Sequence, residues 1–232
     1  MYRNLIDLFK ENEGKGAVGA FNVHCFEMLP AMVRAAEELG VPVILQTSLG
    51  TARYIGFEPL IAAVKAIAEK SAVSVALHMD HCKDIDALKE AIDKGYSSVM
   101  YDGSSLSLEE NIKNTKEVVA YAHERNVSVE GEVGSIGGAE EGVVVAKDDA
   151  MYTKPEDALY FAENTGVDAL AVSIGTTHGQ YKSKAKINYE LLAELKAKLG
   201  DTGLVLHGGT GVSDEDICLL YTSPSPRDRT RS

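Results

Sequence analysis

Seven short β-rich runs, each followed by a helix-like stretch, constrain this chain more than any other feature of its sequence. After an opening helical pattern at 4–12 come AVGAFNV (17–23), PVILQTS (42–48), VSVALHM (73–79), SSVMYD (97–102), VSVEGEV (127–133), ALAVSI (169–174) and LVLH (204–207). Between them lie stretches such as LPAMVRAAEEL, PLIAAVKAIAEK, DIDALKEAIDK and LEENIKNTKEVVAYAHE. Strands that alternate with helices specify βαβ units on a parallel sheet, because a parallel connection needs a crossover long enough to carry a helix. No Pro/Ser/Gly linker divides the series, so an α/β domain of one piece is expected. An open doubly wound sheet accommodates seven strands, whereas a (β/α)8 TIM barrel needs an eighth to join the seventh to the first. The placement of the reactive residues favours the barrel, truncated after about seven units and left with two edge strands.

Composition narrows the function classes. With 45% hydrophobic and 25% charged residues and three Cys in 232 residues, neither a disordered chain nor a disulfide scaffold fits. A formal charge of −12 repels nucleic acid, and the body of the chain has no cationic cluster to offset it. The N-terminus has charges scattered among its apolar residues and lacks a signal-peptide core; no apolar run approaches the roughly 18 residues of a membrane span. A cytoplasmic protein is expected.

The last fifteen residues, CLLYTSPSPRDRTRS, break this pattern. They interrupt a helix just begun at VSDEDI, where Ser213 is an N-cap and the following acids suit the positive end of the helix dipole. The stretch 218–228 resembles the translation of a transposon-end adapter. The expected division is therefore an incomplete barrel domain over 1–217 and a non-native tail over 218–232. Without the tail the body carries 34 acids and 20 bases.

Chemistry concentrates where strands end. His81, His178 and His207 lie at or just past the ends of the third, sixth and seventh predicted strands. In a barrel those ends converge on one face, and three imidazoles with an open fourth position form a catalytic Zn²⁺ arrangement. A lone loop histidine commonly satisfies only its own loop; three at aligned strand ends are harder to explain that way. His24 also follows a strand, His78 reads as a hydrogen-bonded histidine inside one, and His123 as a solvated helix-end residue. Acids follow the same geography: Asp80 precedes His81, Asp102 ends the fourth strand, and Glu130 and Glu132 alternate on the fifth. Asp80 stands in an apolar run, where an uncompensated charge is costly, while Asp84 reads as a helix cap. In HGGTGVSDED the glycines precede a helix N-terminus, where backbone N–H groups can approach an anion. HGQYK places another glycine beside His178. The segment 132–155, Gly-rich at its start and carrying Glu140 and Glu141, has the length of a functional lid or a disordered loop.

The motifs AFNV, LHMDH, YDGS, VEGEVGSIGG, GTTHGQY and LHGGTG, in this order and spacing, resemble the class II, metal-dependent fructose-bisphosphate and tagatose-bisphosphate aldolases. The resemblance runs from near residue 1 to Ile217. It implies a glycolytic carbon–carbon lyase that cleaves fructose bisphosphate to dihydroxyacetone phosphate and glyceraldehyde 3-phosphate through a zinc-stabilised enediolate. Position by position, it makes His81, His178 and His207 the ligands of catalytic Zn²⁺. Asp102 and Glu132 match a second divalent or monovalent cation position. Asp80 matches the acid/base acting on the aldehyde half, and Glu140 the carboxylate acting at the ketone-derived carbon. Asn22, Ser48, Gly179, Gly208, Gly209 and Thr210 match positions around the bound sugar phosphate. Position 139 is Ala where some relatives carry another acid. Relatives continue into an eighth strand that completes the phosphate site, and their full-length forms are homodimers or tetramers. This chain is accordingly expected to be poorly active. No Lys embedded in a predicted strand offers Schiff-base chemistry instead. Tagatose bisphosphate as substrate, another zinc barrel enzyme such as a hydrolase, and an inactive accessory subunit stay open.

Overall fold

The protein is described from a computed structural model, which describes residues 1–134, 138–140, 143–145, 152–176, 186–209 and 212–222. Helix α1 (Leu5–Glu11) starts at Asn4, whose side chain accepts from the Asp7 amide. Then follow β1 (Gly19–Asn22), α2 (Met28–Leu39), β2 (Val43–Ser48), α3 (Leu49–Ile55), α4 (Phe57–Lys70), β3 (Val75–Cys82), α5 (Ile85–Lys94), β4 (Ser98–Tyr101), α6 (Leu108–His123) and β5 (Ser128–Val133). A short antiparallel pair, β6 (Gly138–Glu140) and β7 (Val143–Val145), precedes α7 (Pro155–Thr165), β8 (Ala169–Val172), α8 (Tyr189–Leu199), β9 (Gly203–Val205) and α9 (Asp214–Thr222). The helix caps follow local chemistry: Asp84 accepts from the amides of Asp86 and Ala87, and Ser107 from that of Glu110.

The main sheet is parallel throughout, in the order β1-β2-β3-β4-β5-β8-β9, the seven strands read from the sequence. It curls into a partial TIM barrel with β1 and β9 at the two ends of the described order. Period-2 alternation divides each strand between two environments. Val43, Leu45, Val75, Leu77, Val99, Tyr101, Val129, Leu170 and Val172 belong to the large core between sheet and helices. The alternate positions line the concave face. At its N-terminal end Ile44, Ala76 and Ala169 pack with Leu5 and Leu8 of α1, with Val18, Val205 and Phe9 against them. Helix α1 thus plugs one end of the curl and bridges strands from both halves of the sheet.

Several elements depart from the sequence reading. Helix α3 was not foreseen, and the segment 132–155 contains the β6–β7 pair instead of being loop throughout. Strand β9 ends at Val205, so His207 lies two residues beyond it. Strand β3 runs on to Cys82 because it carries an extra residue: Met79 pairs with Val99 and Cys82 with Tyr101, with a register shift between. His81 absorbs the shift at φ 45°. Helix α9 crosses the expected 217/218 boundary, and Leu220 packs against the core; residues 223–232 lie outside the described part.

Candidate active site

The opposite end of the concave face is charged. Two residues further along each strand, Ile44 gives way to Gln46, Ala76 to His78 and Ser128 to Glu130; the next positions are Ser48, Asp80 and Glu132. The β3 bulge adds to this. Normal alternation would turn His81 away from Asp80, but the extra residue sends both side chains to the concave face and returns Cys82 to the outer core. A non-glycine residue at positive φ costs on the order of 1–3 kcal/mol, stored here at His81, next to Asp80.

Asp80 is 4% exposed, and its Oδ2 accepts from Gln46 Nε2 at 2.9 Å and Asn22 Nδ2 at 3.5 Å. Gln46 also donates to Asn22 Oδ1 at 3.1 Å. Asp80 Oδ1 has no hydrogen-bond partner among the described residues. Ser48 pairs in register with Asp80 and caps α3 through the Thr51 amide. His81 Nε2 lies 3.0 Å from His207 Nδ1, while His81 Nδ1 lies 3.4 Å from Asp102 Oδ2 and 3.7 Å from Glu132 Oε2. His207 Nε2 is 2.9 Å from Glu130 Oε1. Asp102 accepts from the Ser104 hydroxyl at 2.6 Å and has Lys83 Nζ at 3.7 Å.

These contacts set the charges. Burial works against ionisation of Asp102, yet hydrogen bonding from His81 and Ser104 outweighs it and holds the carboxyl well below its ordinary range. Burial, reinforced by the Asp102 carboxylate, pushes Glu132 up to about 7. Glu130 and His207 are both buried; their mutual hydrogen bond overrides the desolvation, lowering the acid and raising the imidazole. Burial pushes His78 down and keeps it neutral.

The donor set fits a divalent metal. Asp80, His81 and His207 form one group of ligand atoms within 4.8 Å of one another, and His81, Asp102 and Glu132 a second. Glu132 Oε2, like Asp80 Oδ1, is buried without a hydrogen bond among the described residues. Two facing ring nitrogens with the Glu132 oxygen nearby suit an ion bound by imidazole and carboxylate, and the Asp80 oxygen is left beside them as a proton acceptor.

Of the residues singled out from the sequence, the structure brings together Asn22, Ser48, Asp80, His81, Asp102, Glu132 and His207. Gly208 follows directly, at φ 76°, where glycine avoids the strain of a side chain; at Gly209 a Cβ would meet nothing within 4 Å. Glu140 falls on β6 opposite Val143, with its side chain outside the described part. His178, Gly179 and Thr210 lie outside the described residues, as does Glu141. His24 has no described role beside the cluster, and His123 bonds Asp168 at the end of α6. Gln46 was missed, although its signal was present: a polar side chain at an inward position, two residues before Ser48 in an apolar strand.

A family profile described as "Fructose-bisphosphate aldolase class-II" matches residues 4–222. A curated fructose-bisphosphate aldolase of Staphylococcus aureus (strain Mu50) is 41% identical over 213 residues, covering 90% of this chain and 73% of the relative. A sulfofructosephosphate aldolase of Alkalicoccus urumqiensis is 39% identical, covering 92% of this chain and 73% of the relative. Among solved structures, the YdjI aldolase of Escherichia coli K12 superposes with a TM-score of 0.83 at 34% identity, over 96% of this chain and 78% of that one.

Proposed function

The chain belongs to the class-II fructose-bisphosphate aldolase family, and from that membership we propose that it is a zinc-dependent aldolase of the cytoplasm, cleaving fructose bisphosphate to dihydroxyacetone phosphate and glyceraldehyde 3-phosphate. The observation that carries this reading is the convergence of Asp80, His81, His207, Asp102 and Glu132 on the charged end of the concave face. His81 and His207, with His178 as third ligand, would hold the catalytic ion, and Asp102 and Glu132 a second cation. When bound, the metal would supply a Lewis acid that stabilises the negative charge developing on the ketone half.

The chain's own residues supply binding and proton transfer. Gln46 and Asn22 fix one oxygen of Asp80, leaving Oδ1 to take the proton of the hydroxyl on the carbon that becomes the aldehyde. As that proton leaves, the carbon–carbon bond breaks and its electron pair passes to the ketone half. Glu140 then delivers a proton to the ketone-derived carbon. Ser48, Gly208, Gly209, Gly179 and Thr210 hold the sugar phosphate, the glycines by letting backbone N–H groups approach it.

The test is release of dihydroxyacetone phosphate by the 232-residue chain from fructose bisphosphate, tagatose bisphosphate and sulfofructose phosphate. The last is included because of the Alkalicoccus relative's name. Fructose bisphosphate is expected to give the highest kcat/KM, with activity lost on chelation and restored by Zn²⁺. A higher value for either other sugar reassigns the substrate; chelator-insensitive cleavage overturns the metal-dependent reading.

A further inference from the structure

Two buried residues singled out from the sequence have no part in the chemistry above, His78 and Glu130. They are 2% and 3% exposed, and no lysine or arginine pairs with the Glu130 carboxylate among its described contacts. An ionised carboxylate held out of water is costly unless its hydrogen bonds are made. Glu130 makes one of them to a histidine and has a second histidine beside it. Ser98 Oγ on β4 lies 2.8 Å from His78 Nδ1 on β3, while His78 Nε2, without a hydrogen bond among the described residues, lies 3.6 Å from Glu130 Oε2 on β5. Glu130 Oε1 lies 2.9 Å from His207 Nε2, beyond β9.

We propose that Glu130, flanked by His78, is the positioning carboxylate that selects which nitrogen of His207 is presented to a bound metal ion. A neutral imidazole has one N–H and one lone pair, and the hydrogen bond at one nitrogen decides which is where. With Nε2–H donated to Glu130, the lone pair of His207 is on Nδ1, the atom 3.0 Å from His81 Nε2. His81 follows the reverse arrangement: Asp102 and Glu132 flank its Nδ1, which leaves Nε2 for the metal. The two histidines therefore present opposite nitrogens to one point. Strand β9 is only three residues long and at one end of the described sheet, so His207 depends on side-chain contacts for its orientation more than His81 does, within the eight-residue β3. A carboxylate on the far nitrogen also raises the basicity of the ligating one.

This inference rests on the reading of His207 as a metal ligand, and the experiment separates the two. Zinc affinity of the 232-residue chain is measured by competition with a chromogenic chelator, alongside the visible spectrum of the Co²⁺-substituted protein, for the parent, Glu130→Gln, His78→Gln, their double variant and His207→Ala. Glu130→Gln is expected to weaken zinc binding about 10- to 100-fold and shift the Co²⁺ bands. His78→Gln should do so less, and the double variant should be no worse than Glu130→Gln alone, since His78 acts through Glu130. A merely structural Glu130 lowers the melting temperature but leaves the affinity of the folded protein and the Co²⁺ spectrum unchanged; that result overturns the proposal. Parent-like zinc affinity in His207→Ala overturns the ligand reading instead. Should Glu130→Gln not fold, Glu130→Asp, which keeps the charge but withdraws it from Nε2, decides by the same criteria.

Discussion

The two ends of the concave face are built from the same strands and differ in almost every physical respect. At the N-terminal end Ile44, Ala76 and Ala169 meet Leu5 and Leu8 in an apolar plug; two to four residues further along stand His78, Asp80, Glu130 and Glu132, buried and charged or polar. The first arrangement gains stability from removing apolar surface from water. The second spends part of it on desolvated charge and on a bulge at positive φ. One sheet thus separates a stabilising end from a reactive one by a single alternation of its side chains, and substitutions at the two ends should have separable consequences.

The sharpest break is Asp80→Ala, expected to reduce dihydroxyacetone phosphate release by about 10²- to 10⁴-fold. Zinc stoichiometry and the melting temperature should change little; activity surviving the substitution removes Asp80 from proton transfer. At the other end, Leu8→Ala opens a cavity in a fully buried position and should cost about 2–5 kcal/mol in urea denaturation, with the zinc affinity of the folded protein unaltered. A loss of zinc affinity in that variant would show that the ends are coupled.

On the outer face, Gly131→Ala would bring a Cβ to 2.7 Å from Phe161 Cε1 and 3.0 Å from Phe161 Cζ, on the strand that carries both Glu130 and Glu132. Overpacking there should cost about 1–3 kcal/mol and, if the strand shifts, weaken metal binding as well. That makes Gly131 the position where stability and site geometry are expected to move together. The smallest effect belongs to Ser107→Ala, which removes the cap of α6 from an exposed corner. About 1 kcal/mol of stability should be lost with no change in metal affinity.

The strand–helix series was legible because short apolar runs alternate with helical patterns and are bounded by helix caps such as Asp84 and Ser107, signals that act within a few residues. The convergence of Asp80, His81, Asp102, Glu132 and His207 followed from parallel strands ending on one face. Harder to see was anything that depends on register between strands. The β3 bulge turns the Asp80–His81 pair toward one face, yet LHMDHC carries no local sign of an extra residue. Gln46 and the Ser98–His78 and Glu130–His207 pairs belong to the same class, since their partners come from other strands. The plug formed by α1 was equally hidden, because the opening helix has an apolar stripe that fits any neighbouring core.

Zinc titration of the parent chain and of His81→Ala and His207→Ala, followed by metal content and by the shift in melting temperature, tests the account most directly. The charged end of the concave face predicts about one tightly held Zn²⁺ that raises the melting temperature of the parent, and loss of both effects in each variant. A parent chain that binds no Zn²⁺, or variants that bind it as the parent does, would contradict the assignment of this face as a metal-dependent aldolase site.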